Sequence, residues 1–395
     1  MKQENQTETL GALCFNVIMI FGGYDMLKVS TPSRICLFGE HQDYLGLEVI
    51  ASGINLRFST RAEKRDDMLL HIKIRDKSIS ELGAKNTDNK YEEYTIDMSG
   101  DLKYENNRDY FKSIVNVLKK EGFPLVGADV IMDSEIPIGK GMCSSTTMVL
   151  VLTTTLAALC DRDRASDPKL MAKLAWKAEV EEFNEPGGMM DQYASALGGL
   201  VHIDFSDGVV PEKLDVDLKG CFILFDSLQQ KDTIKVLGDS KYPTQEGLKE
   251  LEQYGIHSIR DFYENPELEK YVDTLDELHQ RKIRANIDNY RIQREALEML
   301  STGNVDDEKL GELLSRQHKN LRDGLQISTP IIDKVLETAI QNGAYGGKFN
   351  GSGGGGCMYC YAPVGKAEQI VKAVNDMGYP AMVLKQDKGV TITDC

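Results

Sequence analysis

The sequence predicts an α+β protein made of two domains. Its length of 395 residues is more than twice that of an ordinary domain of about 150 residues. Up to about residue 215, runs with the alternation of strands take turns with runs of helical period, whereas residues 244–320 are charged and helical in period. This mixture favours two α+β halves over one parallel doubly wound sheet. We expect an N-terminal extension at 1–27, a first domain at 28–212 and a second at 213–395.

The individual elements follow from local patterns in chain order. LKVSTPSRICLFGEH is expected to form a strand that enters a loop, and EVIASGINLRFSTRAEK alternates apolar and polar residues as a half-buried strand does. We expect two short helices on either side of the acidic, amide-rich residues 76–107, and a strand in ADVIMDSEIP. A turn at Gly139–Ser145 leads into an apolar helix at Thr146–Cys160, in spite of its β-branched residues. Strand character returns in the glycine-rich run near residue 350 and in AMVLKQ.

The charge balance limits the range of partners. The chain carries 46 Lys and Arg against 62 Asp and Glu, a net charge of −16. A general electrostatic attraction to nucleic acid or to an anionic membrane is therefore not expected. An anionic ligand must be held by local groups, so we expect small-molecule partners. The sequence leaves open whether the chain is a monomer or a homodimer.

The cysteines and the N-terminus favour a cytoplasmic protein. Eight cysteines are spread along the chain without the spacing of a secreted disulfide scaffold. The closest pair, Cys357 and Cys360, would face opposite sides of a strand, and no second pair stands at zinc-finger spacing. The apolar stretch Leu10–Phe21 is too short to span a bilayer and lacks a basic flank and a cleavage site. We interpret residues 1–27 as an added strand or an overlong start, with Met26 as a candidate initiator.

Three clusters carry residues suited to chemistry, and the first is PIGKGMCSSTT, Pro137–Thr147. Gly139 and Gly141 remove Cβ atoms from a turn, and the Ser and Thr residues that follow open an apolar helix. The unpaired N–H groups at a helix start carry partial positive charge, so they can bind phosphate oxygens without a basic patch. The Ser hydroxyls add donors and a potential Mg²⁺ ligand. The alternative is that Ser144 caps the helix, and the motif lacks the GxxxxGK[ST] order of a Walker A loop.

The second cluster is the glycine-rich run GGKFNGSGGGGC, Gly346–Cys357. So many glycines are tolerated where the backbone needs positive φ or a close approach to another backbone or a ligand. A flexible linker is the alternative, but Phe349 and the apolar run Cys357–Tyr361 lie on either side of the glycines. We therefore expect a second phosphate-facing loop or a backbone-packing loop.

The third cluster consists of dispersed acids and bases. Arg34, Glu40, His41 and Asp43 stand in SRICLFGEHQDYLG, and Glu179 and Asp191 stand in AEVEEFNEPGGMMDQYASALGG. Taken singly, each is well explained by solvation or by a place in the first turn of a helix. Together they suit a hydroxylated substrate and a nucleotide, because carboxylates accept sugar O–H bonds, bind Mg²⁺ and orient or deprotonate an alcohol.

These clusters, in this order, resemble those of the GHMP kinases, and within them the galactokinase branch. RICLFGEHQDYLG resembles the galactokinase signature, PIGKGMCSS the ATP-binding motif and GGKFNGSGGGGC the third, glycine-rich motif. MMDQYAS agrees with the surroundings of the family's catalytic aspartate, and RQHKNLRDGLQISTPIIDKVLETA with the helix and loop before the third motif. The resemblance covers roughly Val29–Cys360. It implies a two-domain fold, with an N-terminal domain like domain 2 of ribosomal protein S5, a ferredoxin-like C-terminal domain and the site between them.

The resemblance also implies a sugar kinase that uses ATP and Mg²⁺, and a role for each site residue. Asp191 would be the base or orienting group at the anomeric hydroxyl, and Arg34 would steady the charge on Asp191 and on the phosphoryl group. The implied ligands of the sugar hydroxyls are Glu40, His41 and Asp43. The implied ligands of Mg²⁺ are Ser145, with Ser144, and Glu179. The residues implied around the phosphates are Gly139, Gly141, Cys143, Ser144, Ser145 and Thr146.

Departures from the family pattern affect the choice of sugar. Ser33 stands where glycine is usual, Cys143 where glycine or serine is usual, and Gln42 and Leu45 differ from the commonest signature. Galactose is the first expectation, with L-fucose, L-arabinose and a uronic acid as alternatives. The loop that carries Glu40, His41 and Asp43, called the sugar loop below, is negatively charged, and this charge argues against a uronic acid.

Two further questions concern turnover and the adenine. A kinase-like sensor that binds ATP and sugar without turnover would be expected to lose Asp191 or Arg34, and both are present. No motif marks the adenine pocket. Met98 and Tyr104 are candidates for it, although such residues more often pack in a core.

Overall fold

The computed structural model describes residues 26–75, 91–185, 187–216 and 218–395. Most of the expected N-terminal extension therefore lies outside the described residues. The strands are β1 (Leu27–Phe38), β2 (Val49–Arg65), β3 (Leu69–Arg75), β4 (Tyr91–Asp97), β5 (Gly127–Ser134), β6 (Leu200–Asp204), β7 (Val210–Lys213), β8 (Gly220–Asp226), β9 (Gly346–Phe349), β10 (Cys357–Pro363), β11 (Ala381–Leu384) and β12 (Thr391–Asp394). The helices are α1 (Tyr110–Lys120), α2 (Ser144–Cys160), α3 (Arg162–Ala165), α4 (Pro168–Glu179), α5 (Met190–Leu197), α6 (Thr233–Leu251), α7 (Ile259–Glu264), α8 (Glu277–Ser301), α9 (Asp307–Lys319), α10 (Pro330–Gln341) and α11 (Ala367–Asp376). Short 3₁₀ turns occupy Asp43–Leu45, Glu181–Phe183, Glu252–Tyr254, Pro266–Thr274 and Val364–Lys366, and a π turn occupies Asn320–Gly324.

The first sheet has the strand order β12-β1-β2-β5-β3-β4, and β6 and β7 join it through β2. Its pairs are antiparallel except for β3 with β5. Strand β2 is long enough to pair with β6 at one end and with β5 at the other. From Ile54 to Ala62 its residues alternate between buried and partly exposed, so the predicted half-buried strand is confirmed.

Helix α2 is the central helix behind this sheet. It contacts β1, β2, α1 and α4 and is buried on nearly all sides, as expected for a helix without a polar face. The hydroxyls of Thr154 and Thr155 donate to the carbonyls of Leu150 and Val151, at 2.8 and 2.6 Å. Because these bonds satisfy the buried hydroxyls, the β-branched residues are compatible with a helix here. The predicted helix is confirmed, and it begins two residues earlier, at Ser144.

The second sheet has the order β11-β8-β10-β9 and is antiparallel throughout. Helices α10 and α11 pack against it, while α6 to α9 form the helical region predicted from 244–320. Alternate residues of β10 bury their side chains in different cores, with Cys357 in the core of the first sheet and Cys360 in the core beneath α10 and α11. The two cysteines therefore face opposite sides, as the strand pattern predicts.

Two sequence expectations differ from the structure. Within the described residues, segment 76–107 is preceded directly by β3 and contains β4, so of the two expected flanking helices only the later one, α1, is found there. Strand β4 is an edge strand with only Ile96 buried, and this explains why its sequence lacks a clear apolar alternation. The last strand, β12, pairs with β1 in the first sheet, although 213–395 was expected to form the second domain. The boundary near residue 213 stays a prediction. Among the described residues, no helix has the length and apolar content needed to span a membrane.

Candidate active site

A cavity of about 770 Å³ collects the three clusters predicted from the sequence. Every predicted site residue contributes to its wall: Arg34, Glu40, His41, Asp43, Gly139, Gly141, Cys143, Ser144, Ser145, Thr146, Glu179 and Asp191. Two residues of the glycine-rich run, Gly351 and Ser352, also line it. Segments more than 300 positions apart in the chain therefore meet at one site.

An ion pair between Arg34 and Asp191 lies in the cavity wall. Arg34 Nε and Nη2 donate to the two carboxylate oxygens of Asp191, each at 2.8 Å. Burial alone would lower the pKa of the Arg34 guanidinium, but the adjacent Asp191 carboxylate reverses this effect and raises it. Arg34 is buried, whereas the Asp191 side chain is 28% exposed. The pair therefore fixes the orientation of a carboxylate that a ligand in the cavity can still reach.

Glu40 forms a second, fully buried ion pair. Its Oε2 accepts from Lys348 Nζ, and its Oε1 accepts from the Gly351 N–H at 3.3 Å. Lys348 also donates to the carbonyls of Cys36 and Phe349. Burial raises the pKa of the Glu40 carboxyl, against the opposing effect of Lys348. Glu40 thus ties the loop after β1 to β9, and its predicted bond to a sugar hydroxyl stays a prediction.

His41 is held by two hydrogen bonds in a left-handed backbone conformation, with φ of 63°. Nε2 lies 3.0 Å from the Ser352 carbonyl and Nδ1 lies 2.7 Å from the Tyr44 hydroxyl. Because a carbonyl only accepts, Nε2 carries the proton and Nδ1 accepts from Tyr44. Burial lowers the pKa of His41 to about 4, so the ring is neutral at pH 7. Both ring nitrogens are therefore engaged, and His41 orients Tyr44, which the sequence did not mark as a site residue.

Asp43 lies against a glycine. The backbone N–H groups of Tyr44 and Met190 act to lower the pKa of the Asp43 carboxyl, and a Cβ on Gly188 would lie 1.8 Å from its Oδ2. Burial, followed by the charge of Asp191, raises the pKa of Asp43 to about 6. The two carboxylates therefore share one region of the cavity.

Helix α2 points its N-terminus into the cavity without a side-chain cap. The N-cap is Cys143, with φ of 47°, and its side chain makes no capping hydrogen bond. Ser144 is the first helical residue, so the alternative that Ser144 caps the helix is wrong. The first N–H groups of α2 therefore face the cavity with the partial positive charge of a helix start.

Glu179 lies beside this helix start. It is buried, and its carboxylate accepts from Thr146 Oγ1 at 3.0 Å and from Gln192 Nε2 at 2.8 Å. Burial raises the pKa of Glu179 to about 7, against hydrogen bonds from Thr146 and Ser145 that lower it. The carboxylate thus has neutral partners in a place where a cation would stabilise its charge.

The glycine-rich run packs backbone against backbone, so the linker alternative is wrong. Asn350 bridges two loops, since its Oδ1 accepts from Cys36 N–H at 3.0 Å and its Nδ2 donates to the Gly141 carbonyl at 3.0 Å. A Cβ on Gly356 would lie 2.4 Å from the Lys140 carbonyl oxygen. The glycine-rich run therefore holds in place the turn around Gly139 and Gly141, which is the candidate phosphate loop.

The cavity wall also contains residues that no sequence motif marks. Lys231 lines the cavity, and its Nζ is buried without a hydrogen-bond partner among the described residues. Met98 is buried in the core, which was the preferred explanation for such residues, Tyr104 donates to Glu182, and neither of them lines the cavity. The apolar part of the cavity wall includes Ile74, Tyr110, Ile138 and Met148.

Comparisons with known proteins show the family of the chain. Residues 109–199 match the GHMP kinases N terminal domain, and residues 302–380 match the GHMP kinases C terminal domain. A galactokinase of Glaesserella parasuis is 30% identical over 371 residues, which cover 90% of each chain. The chain belongs to the GHMP kinase family. A mevalonate kinase of Pyrococcus abyssi is 27% identical, over 92% of this chain and 96% of that one.

The GHMP kinase fold is also found in the solved structures. The crystal structure of Lactococcus lactis galactokinase complexed with galactose matches with a TM-score of 0.80 and 23% identity, over 97% of this chain and 99% of that one. The predicted two-domain α+β fold is thus confirmed. As a GHMP kinase, the chain is a phosphotransferase with an alcohol acceptor.

Proposed function

We propose that the chain transfers the γ-phosphoryl group of Mg-ATP to the anomeric hydroxyl of a monosaccharide, with galactose as the first candidate. The observation that carries this proposal is the Arg34–Asp191 pair, which lies in the same cavity as the uncapped start of α2. Direct phosphoryl transfer needs one group that holds the alcohol and another that holds the phosphates. A carboxylate is suited to the alcohol, and a helix start is suited to the phosphates.

Asp191 is the proposed base and orienting group. Arg34 takes one lone pair of each Asp191 oxygen, which leaves the other for the substrate hydroxyl. In the proposed step, the anomeric oxygen forms a bond to the γ-phosphorus, and the bond from that phosphorus to the bridging oxygen breaks. ADP leaves, and the proton of the hydroxyl passes to Asp191. Arg34 stabilises negative charge on Asp191 and on the transferring group.

Asp43 is the proposed main acceptor for the other sugar hydroxyls, because its carboxylate lines the cavity near Asp191. His41 acts through Tyr44, whose hydroxyl it holds. Glu40 contributes by fixing the loop, and its Oε1 is the oxygen nearer to the cavity residue Gly351. The proposal thus keeps all three predicted sugar-loop residues and gives them different tasks.

The helix start would receive the nucleotide phosphates. The backbone of Gly139, Gly141 and 143–146 surrounds this end of the cavity, and the positive φ of both glycines shapes the loop. The residues present fit a Mg²⁺ ion, since Glu179 is a buried carboxylate with neutral partners and Gln192 Oε1 is buried without a hydrogen bond. Ser145 and Glu179 would hold the ion, which would neutralise phosphate charge. In the described residues, no group of three or more His, Cys, Asp or Glu side chains could hold a metal, and a kinase Mg²⁺ ion needs few protein ligands because phosphates supply the rest.

The choice of galactose rests on the relatives named galactokinase, at 30 to 26% identity. Two departures from the family pattern are coupled, because Ser33 Oγ lies 3.7 Å from Cys143 Sγ. A third departure, Gln42, donates to the Asn286 carbonyl of α8 and does not line the cavity. Ser33 and Gln42 therefore concern the packing around the site, whereas Cys143 lines the cavity itself. The proposed setting is the cytoplasm, since the described cysteines are all free thiols.

A coupled ADP-release assay tests the proposal. Purified protein with Mg-ATP is screened against galactose, L-fucose, L-arabinose, galacturonic acid and mevalonate, and the product is located by ³¹P NMR. We expect sugar-dependent ADP release and a phosphate on the anomeric oxygen. Turnover with mevalonate alone would contradict the sugar assignment. Tight binding of ATP and sugar without ADP release would support the sensor alternative.

A further inference from the structure

Lys231 is a buried cation to which the proposed phosphoryl transfer assigns no task. It stands two residues before α6, and its Nζ is buried and makes no hydrogen bond to any described residue. Burial, followed by the charge of Arg34, lowers the pKa of Lys231 to about 8. An ammonium group removed from water without a partner is unfavourable for folding. A residue of this kind is expected where an anionic ligand completes its contacts.

The chain around Lys231 is held firmly by the glycine-rich run. The Gly356 N–H donates to the Gln229 carbonyl at 3.1 Å, and a Cβ on Gly355 would lie 3.1 Å from Gln229 Cβ. Leu228 adopts the left-handed conformation, with φ of 59°. These contacts position the backbone that leads into Lys231.

The amine is aimed at the phosphate loop. A Cβ on Gly141 would lie 2.6 Å from Lys231 Nζ, so the nitrogen lies directly above that glycine. The carbonyl of the same glycine accepts from Arg34 Nη1 at 3.1 Å. Lys231 and Arg34 thus approach the loop around Gly141 from the cavity, and Asp191 lines the same cavity. Two cations therefore lie where the phosphate loop meets the carboxylate proposed to hold the acceptor.

We propose that Lys231 is a catalytic residue that donates a hydrogen bond to a non-bridging oxygen of the transferring γ-phosphoryl group. This inference rests on the proposed function. Lys231 stays protonated while the bond from the sugar oxygen to phosphorus forms and the bond to the bridging oxygen breaks, and the acceptor proton still goes to Asp191. Lys231 and Arg34 are already in position before the reaction. Both can therefore stabilise the equatorial oxygens of the transferring phosphoryl group without a rearrangement of their side chains.

The surroundings of Lys231 define its pH dependence. The charged or titratable groups that face it are Arg34 on β1, Glu40 and His41 in the sugar loop, Asp191 on α5 and Cys357 on β10. Lys231 loses its proton above about pH 8 in the free protein, and bound phosphate would favour the protonated form. We therefore expect kcat/KM, which reports the free enzyme, to fall above that pH, and kcat to fall at a higher pH.

The test uses Lys231→Met, Lys231→Arg and Lys235→Met as a matched control, because Lys235 is an exposed lysine one turn further along α6. We expect Lys231→Met to lower kcat by about 10²-fold or more, the usual effect of removing one charge-stabilising donor. Calorimetry should show weaker binding of ATP with ADP binding nearly unchanged. The melting temperature should stay the same or rise, since an unpaired buried amine is replaced by a thioether of similar length. Lys231→Arg should recover part of kcat and lose the alkaline fall in kcat/KM, and Lys235→Met should behave as wild type.

Three results would overturn the inference: normal kcat in Lys231→Met, an equal loss of ATP and ADP affinity, or a higher KM for the sugar as the main effect. The last of these would place Lys231 on the sugar. If wild-type protein turns over none of the acceptors, the proposed function fails separately. The ratio of ATP to ADP affinity in the two variants would still decide whether Lys231 contacts the γ-phosphate.

Discussion

Replacing Gly188 by alanine should impair sugar binding through Asp43 alone. A Cβ at this position would lie 1.8 Å from Asp43 Oδ2 and 2.3 Å from its Cγ. Such a contact cannot exist, so we expect the Asp43 carboxylate to leave its position in the cavity wall. The backbone of Gly188 has no positive φ, so alanine itself introduces no backbone strain there. The effect is therefore confined to the contact between two parts of the proposed sugar site.

The magnitude follows from the hydrogen bond that the carboxylate would lose. A hydrogen bond to a charged group contributes about 1.5–3 kcal/mol, and its loss corresponds to roughly a 10- to 100-fold higher KM for the sugar. The neighbouring Gly187 provides a matched control, because its Cβ would lie 3.4 Å from Val180 Cγ2, close to ordinary van der Waals contact. Gly187→Ala should therefore change the sugar KM little.

The assay is sugar-dependent ADP release, with the KM of ATP and of the sugar measured separately. We expect Gly188→Ala to raise the sugar KM while the KM for ATP and the melting temperature stay within about twofold and a few degrees of wild type. An unchanged sugar KM in a folded variant would remove Asp43 from sugar binding. A similar increase in Gly187→Ala would indicate that the whole segment, and not the Asp43 contact, is responsible.

Three further predictions concern the acids. Asp191→Asn should leave ATP binding nearly intact and lower kcat by about 10²-fold or more, and near-native turnover would exclude the proposed role. Glu179 and Asp43 have pKa values raised to about 7 and 6, so both are protonated at pH 5, and kcat/KM should rise from pH 5 to pH 8. The raised pKa of Glu179 also makes the folded protein without Mg²⁺ less stable as the pH rises from 4.5 to 7. Urea unfolding with and without Mg-ATP can check this loss of stability. Glu48 accepts hydrogen bonds from Tyr290, His202, Arg260 and Arg294, so Glu48→Gln should lower the free energy of unfolding by about 1–3 kcal/mol. Burial would raise the pKa of Glu48, but these partners outweigh it and lower the pKa to about 2. In urea titrations, the stability difference between wild type and Glu48→Gln should therefore disappear as the pH falls from about 4.5 to 2.

The sequence singled out residues that line one cavity, but it missed some elements of the fold. Motifs such as GEHQDY and PIGKGMCSS can be found from the identity and order of their residues alone, and the loops that they mark meet in the structure. Strand β4 was missed because it is an edge strand and its residues are mostly exposed, so that burial left no alternating pattern. Lys231 was missed for a different reason. It stands in a polar stretch after β8, and only its burial and the neighbouring Gly141 distinguish it from other lysines.

Long-range pairs explain what local patterns omit. The resemblance to the galactokinase signature implies that Glu40 is a sugar ligand, yet its partner in the structure is Lys348, 308 positions away. A local pattern gives the residue types of one loop, but it cannot show which distant side chain will neutralise a charge in that loop. Glu40 therefore acquires its structural task only when the glycine-rich run closes on the first sheet.

The glycine-rich run accordingly contributes to the proposed chemistry through position more than through contact. Asn350 bonds both the Cys36 amide and the Gly141 carbonyl, so it sets the distance between the strand that carries Arg34 and the phosphate loop. The same run packs against the segment that carries Lys231. Because in-line transfer depends strongly on the alignment of the donor and acceptor, small shifts of this run would change kcat even where no ligand touches it. Its glycines are needed because a Cβ at these points would separate the three loops whose approach forms the cavity.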